Sequence, residues 1–286
     1  MKYAVIEQNA GNIGITKACK LLNVRRQGYY EYRERKDSPR EIRDRQLTVH
    51  IKNIFYESNR IYGARKIREK LRTENNIKIS RKHVRRLMLS AGLVPVTWRK
   101  SVRTTVSDPK SAPFPNLLGQ DFRVALPNMT WVSDFTYIAT DEGWAYICTF
   151  IDLFSRRVVG WAAGDSIDRF LAIAALKNAI KNRHPHKGLI IHTDRGCQYT
   201  SSDFRREAAA AGALQSMSRP GTPYDNACAE TFFKSLKTEC IDRHTFKTRA
   251  QAFDAVAEYI LFFNRVRIHE SLGYSTPADF ESMYAA

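Results

Sequence analysis

Nowhere in this chain do apolar residues run for the roughly 18 to 20 positions that a membrane-spanning helix needs. The opening stretch, MKYAVIEQNAGNIGITKACK, lacks the apolar core of a secretion signal. Neither a membrane protein nor an exported one is expected, and the expected location is the cytoplasm. Cysteine is sparse. The five are Cys19, Cys148, Cys197, Cys228 and Cys240, odd in number and without a C-x-x-C pair, which argues against a disulfide framework and leaves reduced thiols as the expectation. The seven histidines add no zinc pattern; His184 and His186 in KNRHPHKG come nearest and read better as a polar loop between helix and strand. No heptad repeat is sustained, so a long coiled coil is not expected either. Disorder is excluded by composition, because 43% hydrophobic and 11% aromatic residues suffice for a core.

Acidic residues are scarce in one part of the chain only. Residues 1–125 hold 28 Lys and Arg against 11 Asp and Glu, whereas residues 126–286 hold 18 against 18, so the entire formal charge of +17 lies in the first part. A basic module joined to a neutral one is how a phosphate-backbone grip beside a catalytic domain would read. A basic surface kept for solubility, or one meeting an acidic protein, is the alternative, and so concentrated an excess favours nucleic acid.

Short helices are expected first. In ITKACKLLNVRRQGYYEYRER, Ile15, Ala18 and Leu22 share a helical face, and Asn23 and Val24 allow a turn before an Arg-rich helix with Tyr29 and Tyr30. A helix-turn-helix and an ordinary helical hairpin score alike here. Pro39 interrupts, and a longer helix follows with Leu47, Ile51, Ile54 and Phe55 at the spacing of a buried face. In YGARKIREKLR, Ile67 and Leu71 are expected to face inward and Arg65, Lys66, Arg68, Lys70 and Arg72 outward. Ser80 is a good N-cap for RKHVRRLMLSA, which buries Val84, Leu87 and Met88 and stops at Gly92. Helix, turn and helix with basic outer faces, Arg81 and Arg85 included, is the shape that presents a recognition helix to a major groove. A basic face on a plain helical bundle would look the same. Residues 93–127 then lose periodicity and read as an extended linker that lies along DNA.

From Met129 the pattern changes to strands. TWVSDFTYIAT, WAYICTFIDLF and RRVVGWAAG suggest an antiparallel meander. The helix DRFLAIAALKNAIKNR follows, with Leu171, Ala174, Ala175 and Ile180 among its apolar residues. After it come the strand GLIIHTD, the helix SSDFRREAAAAGA with Ser202 near its cap, and the minimal strand QSMS. Residues 226–239 and 249–267 read as helices, the latter with Phe253, Val256, Ile260 and Phe263 on one stripe. Three antiparallel strands followed by alternating helix and strand make a mixed α/β sheet, neither a Rossmann fold nor a barrel.

Three carboxylates stand out against this frame. Asp134 lies inside the apolar run WVSDFTYI, Asp194 ends the strand GLIIHTD where α/β sheets present ligands, and Glu230 lies on a helix whose next turns hold Phe232, Phe233 and Leu236. A core carboxylate without a partner is costly, so such groups are paired or bind metal. Three that converge suit Mg²⁺ or Mn²⁺ rather than zinc. Two such ions about 4 Å apart can activate an attacking oxygen and stabilise a leaving one. Taken singly, Asp194 could cap the turn DRG and Glu230 could be an ordinary helix-surface acid.

The stretches WVSDFTYI, FIDLFSRRVVGW, HTDRGCQYTS, SMSRPGTPYDNACAETFFKSLKTE and YILFFNRVRIHESLGYSTPADFE resemble the integrase-type catalytic core of DDE transposases. More narrowly they resemble the second-frame product of the insertion sequence 3 family, as do IFYESNRIYGARKIREKL and RKHVRRLMLSAGLVP upstream. The resemblance implies a ribonuclease H-like catalytic core, a mixed five-stranded sheet with flanking helices, preceded by all-α helix-turn-helix-like regions. The implied division is an N-terminal helical region over 1–38, a basic helical DNA-binding region over 39–95, a linker over 96–127 and the catalytic core with its C-terminal helix over 128–286. The family triad falls on Asp134, Asp194 and Glu230, the last two separated by 35 residues as the class requires. The family's basic residue seven positions after the glutamate falls on Lys237, two turns along the same helical face or about 11 Å, where an ammonium could hold DNA. Asn226 matches a position just before the catalytic helix and is expected to shape the active-site loop. One departure is Cys197, where serine is common in the family.

The activity implied is metal-dependent phosphodiester cleavage and strand transfer at the ends of an insertion sequence, with two Mg²⁺ ions per active site and Mn²⁺ as a substitute. Water would first free a 3′-OH, which would then attack a second phosphodiester, joining one element end to the other through a circular intermediate before insertion. No covalent protein–DNA intermediate is needed, so Tyr199 and Ser201 near Asp194 are expected to pack and cap. The partners implied are double-stranded DNA of the element ends and target, a second copy of the chain on DNA, and a first-frame protein with helix-turn-helix and leucine zipper. The bound protein would be nucleoid-associated. Competing readings are a nuclease that only hydrolyses and a DNA-binding accessory or repressor protein with an inert core.

Overall fold

The computed structural model describes residues 2–34, 36–96, 114–219 and 222–284. Three short helices open the chain: α1 (Lys2–Ile13), α2 (Ile15–Leu21) and α3 (Arg26–Glu34). They share a small core of Ile6, Ala18, Cys19 and Tyr29. Asn23 takes a left-handed conformation, φ +49°, in the turn between the second and third helices.

A second helical group follows: α4 (Pro39–Glu57), α5 (Ala64–Glu74) and α6 (Arg81–Ser90). Pro39 starts a helix rather than interrupting one. Its ring presets φ for the first turn, and Ser38 and Glu41 close a reciprocal capping box around it. Ser80 caps α6 by accepting from the His83 amide, and Leu47, Ile51, Ile54, Phe55, Ile67, Leu71, Val84, Leu87 and Met88 are buried together, as their spacing predicts.

The core begins with β1 (Thr130–Thr140), β2 (Gly143–Asp152) and β3 (Val158–Gly164), then α7 (Arg169–Arg183), β4 (Ile190–Thr193), α8 (Cys197–Thr200), α9 (Ser202–Ala210) and β5 (Leu214–Met217). Next are α10 (Ala227–Glu239), α11 (Arg249–Arg265) and α12 (Pro277–Ser282). The sheet order is β3-β2-β1-β4-β5, with the first three strands antiparallel and β1, β4 and β5 parallel. This is the mixed five-stranded sheet that the strand pattern predicts.

Alternation along the strands separates two hydrophobic layers. Val132, Ile138, Ala145 and Ile147 pack with Phe232, Phe233 and Leu236 of α10 and Val256, Ile260 and Phe263 of α11. Trp131, Cys148 and Phe150 face the other way, onto Leu171, Ala175 and Leu176 of α7 and Phe204 of α9. At Gly160 the sheet and α7 touch so closely that a Cβ would lie 2.4 Å from the Ala179 amide nitrogen. The edge strand β3 is blunted by side-chain amides: Asn264 donates to and accepts from the Val158 backbone, and Asn178 and Asn182 donate to the carbonyls of Trp161 and Val159.

Two sequence expectations are corrected here. The segment 93–127 was expected to be an extended linker lying along DNA, without packing on the core. Residues 97–113 lie outside the described residues, but residues 114–125 are strapped to the core. Leu118 is buried in it, the Leu117 amide donates to Ser216 Oγ at 2.9 Å, and the Met217 amide reaches the Pro115 carbonyl at 3.3 Å, covering the β5 edge. The physical reason is that Leu118 and Phe114 are apolar and pack on the two layers of the core. The second correction concerns α5, whose Lys66 was expected to face outward. It is half-buried, with its ammonium 5.0 Å from the centre of the Tyr62 ring. Here α5 docks on the segment that follows α11: Tyr62 Oη donates to the Val266 carbonyl and accepts from the Ile268 amide, both at 3.0 Å.

Candidate active site

The parallel pairing of β1 with β4 sets Val132 beside His192. Asp134 and Asp194 each lie two residues beyond that pair, Asp134 within β1 and Asp194 just past the end of β4. The two carboxylates are close enough for the Asp194 charge to act on Asp134. The junction of β1 and β4 is also where the sheet changes from antiparallel to parallel, the kind of switch point at which open α/β sheets present ligands.

Each aspartate is held by a backbone amide. Asp134 Oδ1 accepts from the Phe135 amide at 2.7 Å and Asp194 Oδ1 from the Gly196 amide at 3.0 Å. Gly196 allows that turn because a Cβ there would lie 3.1 Å from the Asp194 carboxylate and 2.6 Å from Gln198 Oε1. Burial first, and then the Asp194 and Glu230 charges, push the Asp134 carboxyl up to about 8 against the pull of the Phe135 amide and Lys237. Burial raises Asp194 as well, partly offset by the Gly196 amide. Two neighbouring carboxylates that resist ionisation together are a site that favours positive charge.

Glu230 lies on the first turns of α10 and is solvent-exposed, which departs from the expectation of a core acid. Among the described residues no group of three or more His, Cys, Asp or Glu side chains is assembled closely enough to hold a metal ion. The donor set itself, carboxylate oxygens only, has the chemistry that hard divalent cations prefer. Lys237 lies further along α10, half-buried, with its ammonium 4.7 Å from the centre of the Tyr137 ring.

Asn226 is buried and donates through Nδ2 to the Ser133 carbonyl at 3.2 Å, tying the start of α10 to the residue before Asp134. A side chain so placed fixes the start of α10 against β1. Tyr199 is buried behind Asp134, its hydroxyl 2.8 Å from Ser133 Oγ. Ser201, rather than Ser202, caps α9 by accepting from the Phe204 amide. Cys197 is exposed at the start of α8.

Of the basic residues singled out upstream, Arg81 and Arg85 are exposed on α6. The Arg65 guanidinium is instead paired with Glu270 at 2.6 and 2.7 Å. Burial, together with the Arg267 charge, pushes Lys66 down to about 8.

Sequence reasoning missed Asp225. It is fully buried and gathers Asn116 Nδ2 and Gln120 Nε2, each at 2.8 Å, the Arg219 amide at 2.8 Å and the Arg219 guanidinium. Burial alone would raise its carboxyl, but the Arg219 and Gln120 hydrogen bonds hold it below the usual aspartate range. This hub fastens the strap and the Arg219 loop to the residue next to Asn226. The signal available was a buried-sounding Asp in the run YDNACAE, indistinguishable in sequence from a turn acid.

Residues 125–223 match the family model described as an integrase core domain, and a second model of the same description matches residues 211–277. Residues 41–101 match an HTH-like domain. The chain is 39% identical over 248 residues to the transposase for insertion sequence element IS904 of Lactococcus lactis subsp. lactis (strain IL1403), covering 86% of this chain and 98% of that one. It is 36% identical over 294 residues to transposase InsF for insertion sequence IS3A of Escherichia coli (strain K12), covering 99% of each. Among solved structures it is similar to the HTLV-2 integrase catalytic core domain in complex with magnesium, at 18% identity, 56% of this chain, 98% of that chain and a TM-score of 0.42. With an integrase core, an HTH-like domain and end-to-end similarity to InsF, the chain belongs to the insertion sequence 3 family of transposases.

Proposed function

We propose that this transposase cleaves and joins phosphodiesters at the ends of its element with Asp134, Asp194 and Glu230 as the ligands of two divalent cations, Mg²⁺ or Mn²⁺. The observation that carries the reading is the neighbouring pair Asp134 and Asp194, held by the Phe135 and Gly196 amides, with Asp134 pushed up to about 8 by burial first and by the Asp194 charge second. When bound, such cations supply Lewis-acid activation of the attacking oxygen and stabilisation of the leaving one. The chain's own residues do the rest. Asp134 and Asp194 form a fixed pair, and Glu230, free in solvent on α10, closes onto them. Asn226 fixes where that helix begins by its bond to the Ser133 carbonyl. Lys237, one helical face along from Glu230, holds a strand phosphate beside the aspartates, and the exposed Arg81 and Arg85 of α6 grip duplex backbone.

In this reading residues 1–38 form the first helical region, 39–95 the DNA-binding region, 96–127 the connection and 128–286 the catalytic core. Synapsis of two ends calls for a second copy of the chain, and a first-frame helix-turn-helix and leucine-zipper protein completes recognition of the ends. The protein acts in the cytoplasm, on the nucleoid.

The absence of a closed three-carboxylate group among the described residues favours one alternative, an accessory or repressor protein whose core is inert. Labelled, pre-nicked element-end DNA incubated with Mg²⁺ or Mn²⁺ separates the two. Joined products from the wild type that vanish in Glu230→Gln are the expected result. Binding with neither cleavage nor joining, even with the first-frame protein supplied, would leave the inert-core reading.

A further inference from the structure

We propose that a cleft on the flank of α10 turned away from the aspartates binds a phosphate group. Its volume is about 270 Å³, and three elements meet in it: Arg156 from the turn after β2, Thr231 and Ser235 from α10, and Arg267, His269 and Ser271 from the segment after α11. Phe232 and Phe263 form an apolar floor. On α10 the cleft residues 228, 231 and 235 recur at i, i+3 and i+7, whereas Glu230 and Lys237 lie on another flank, so this is a separate surface of the same helix.

No carboxylate lines the cleft among the described residues. The Arg267 guanidinium is engaged by Glu239 at 2.7 and 2.8 Å, whereas the Arg156 guanidinium meets the Cys228 sulfur and, among the described residues, pairs with no carboxylate. Its backbone sits at φ +62°, a left-handed conformation that disfavours a side-chain-bearing residue, held by its own amide donating to the Asp152 carbonyl at 2.8 Å. Electropositive surroundings are registered by His269: burial lowers its imidazole to about 3, helped by the Arg267, Lys66 and Arg156 charges. The Thr231 and Ser235 hydroxyls donate to the Ala227 and Thr231 carbonyls of their own helix, so the donors offered to a ligand are the Arg156 guanidinium fork and the Ser271 hydroxyl, a set that matches an oxyanion such as phosphate. The group could belong to a DNA backbone or to a free phosphate, and only the first source rests on the DNA reading above.

Two measurements on the full chain test this. In the first, Tm is compared in sodium phosphate and in sodium chloride of equal ionic strength. In the second, alkylation of Cys228, which also lines the cleft, is followed by peptide mass mapping with inorganic phosphate or duplex DNA added. The expected result is several-fold slower alkylation, lost in both Arg156→Gln and Ser235→Asp. The second variant sets a carboxylate at the cleft without touching the turn that holds Arg156. Protection and a higher Tm with inorganic phosphate assign the site to a free phosphate. Protection by duplex alone, lost in Ser235→Asp, assigns it to the DNA backbone. Equal protection in wild type and variants overturns the proposal, as does the absence of any phosphate effect together with an unprotected Cys228 when a mobility shift shows duplex bound. If no duplex binds, the DNA reading fails by itself and the phosphate arm still decides the cleft.

Discussion

Asp134 binds its proton more tightly in the folded chain than an unfolded aspartate does, because burial and the Asp194 charge both disfavour ionisation. Between the ordinary value of 3.8 and about 8, the folded state therefore loses stability as pH rises in metal-free buffer. Asp134→Asn removes that loss. Its Tm is expected to exceed that of the wild type at pH 8, by roughly 2–4 °C for each kcal/mol recovered, with the difference shrinking to nothing near pH 4. Scanning calorimetry across that range checks it, and a constant difference would refute it. Asp134 and Asp194 were legible in the sequence because a charge inside or at the end of an apolar strand is costly and needs a reason. Glu230 was singled out with them for the apolar turns that follow it, but the structure exposes it, because sequence does not tell which flank of a helix an acid takes. Asp225 was illegible, since its partners Asn116 and Gln120 lie 109 and 105 residues away in an irregular strap that no periodicity announces.

At the scale of elements, Gly160 marks where β3 and α7 meet backbone to backbone. A Cβ there would lie within 2.5 Å of the Ala179 nitrogen and Cα, neither of which is a flexible side-chain end. Gly160→Ala is therefore expected to cost at least about 2 kcal/mol, toward the upper end of overpacking effects, read as a lower urea midpoint at unchanged m-value. The five strands were readable from alternation and turn residues, and the helices from their buried stripes and caps. The strap over β5 was not, because Pro and Ser signal a loop whether or not the loop is packed. The inward turn of Lys66 was missed for a related reason. Helical spacing tells which residues share a face, but a second buried face, supplied here by the segment after α11, is invisible until the tertiary contact forms.

At the scale of the whole molecule, the HTH-like region and the integrase core are joined noncovalently as well as by the chain. Ile268, beyond α11, is buried in the same cluster as α4, α5 and α6, and Tyr62 Oη bridges the Val266 carbonyl and the Ile268 amide. Tyr62→Phe leaves that amide and carbonyl without their partner and is expected to cost about 1–3 kcal/mol. The unfolding curve should then separate into two transitions, the helical region melting first; a single unchanged transition would show that the two parts are not coupled through this residue. The pairing of β1 with β4 carries a consequence in time. Sixty positions separate Asp134 from Asp194 along the chain, and Glu230 comes later still. A ribosome adding about 5–20 residues per second exposes Asp134 for several seconds before its neighbour exists, and longer before β4 can align beside it. The basic helices over residues 39–90 therefore leave the ribosome before Asp134 and Asp194 can meet, so the two parts of the chain ripen in a fixed order.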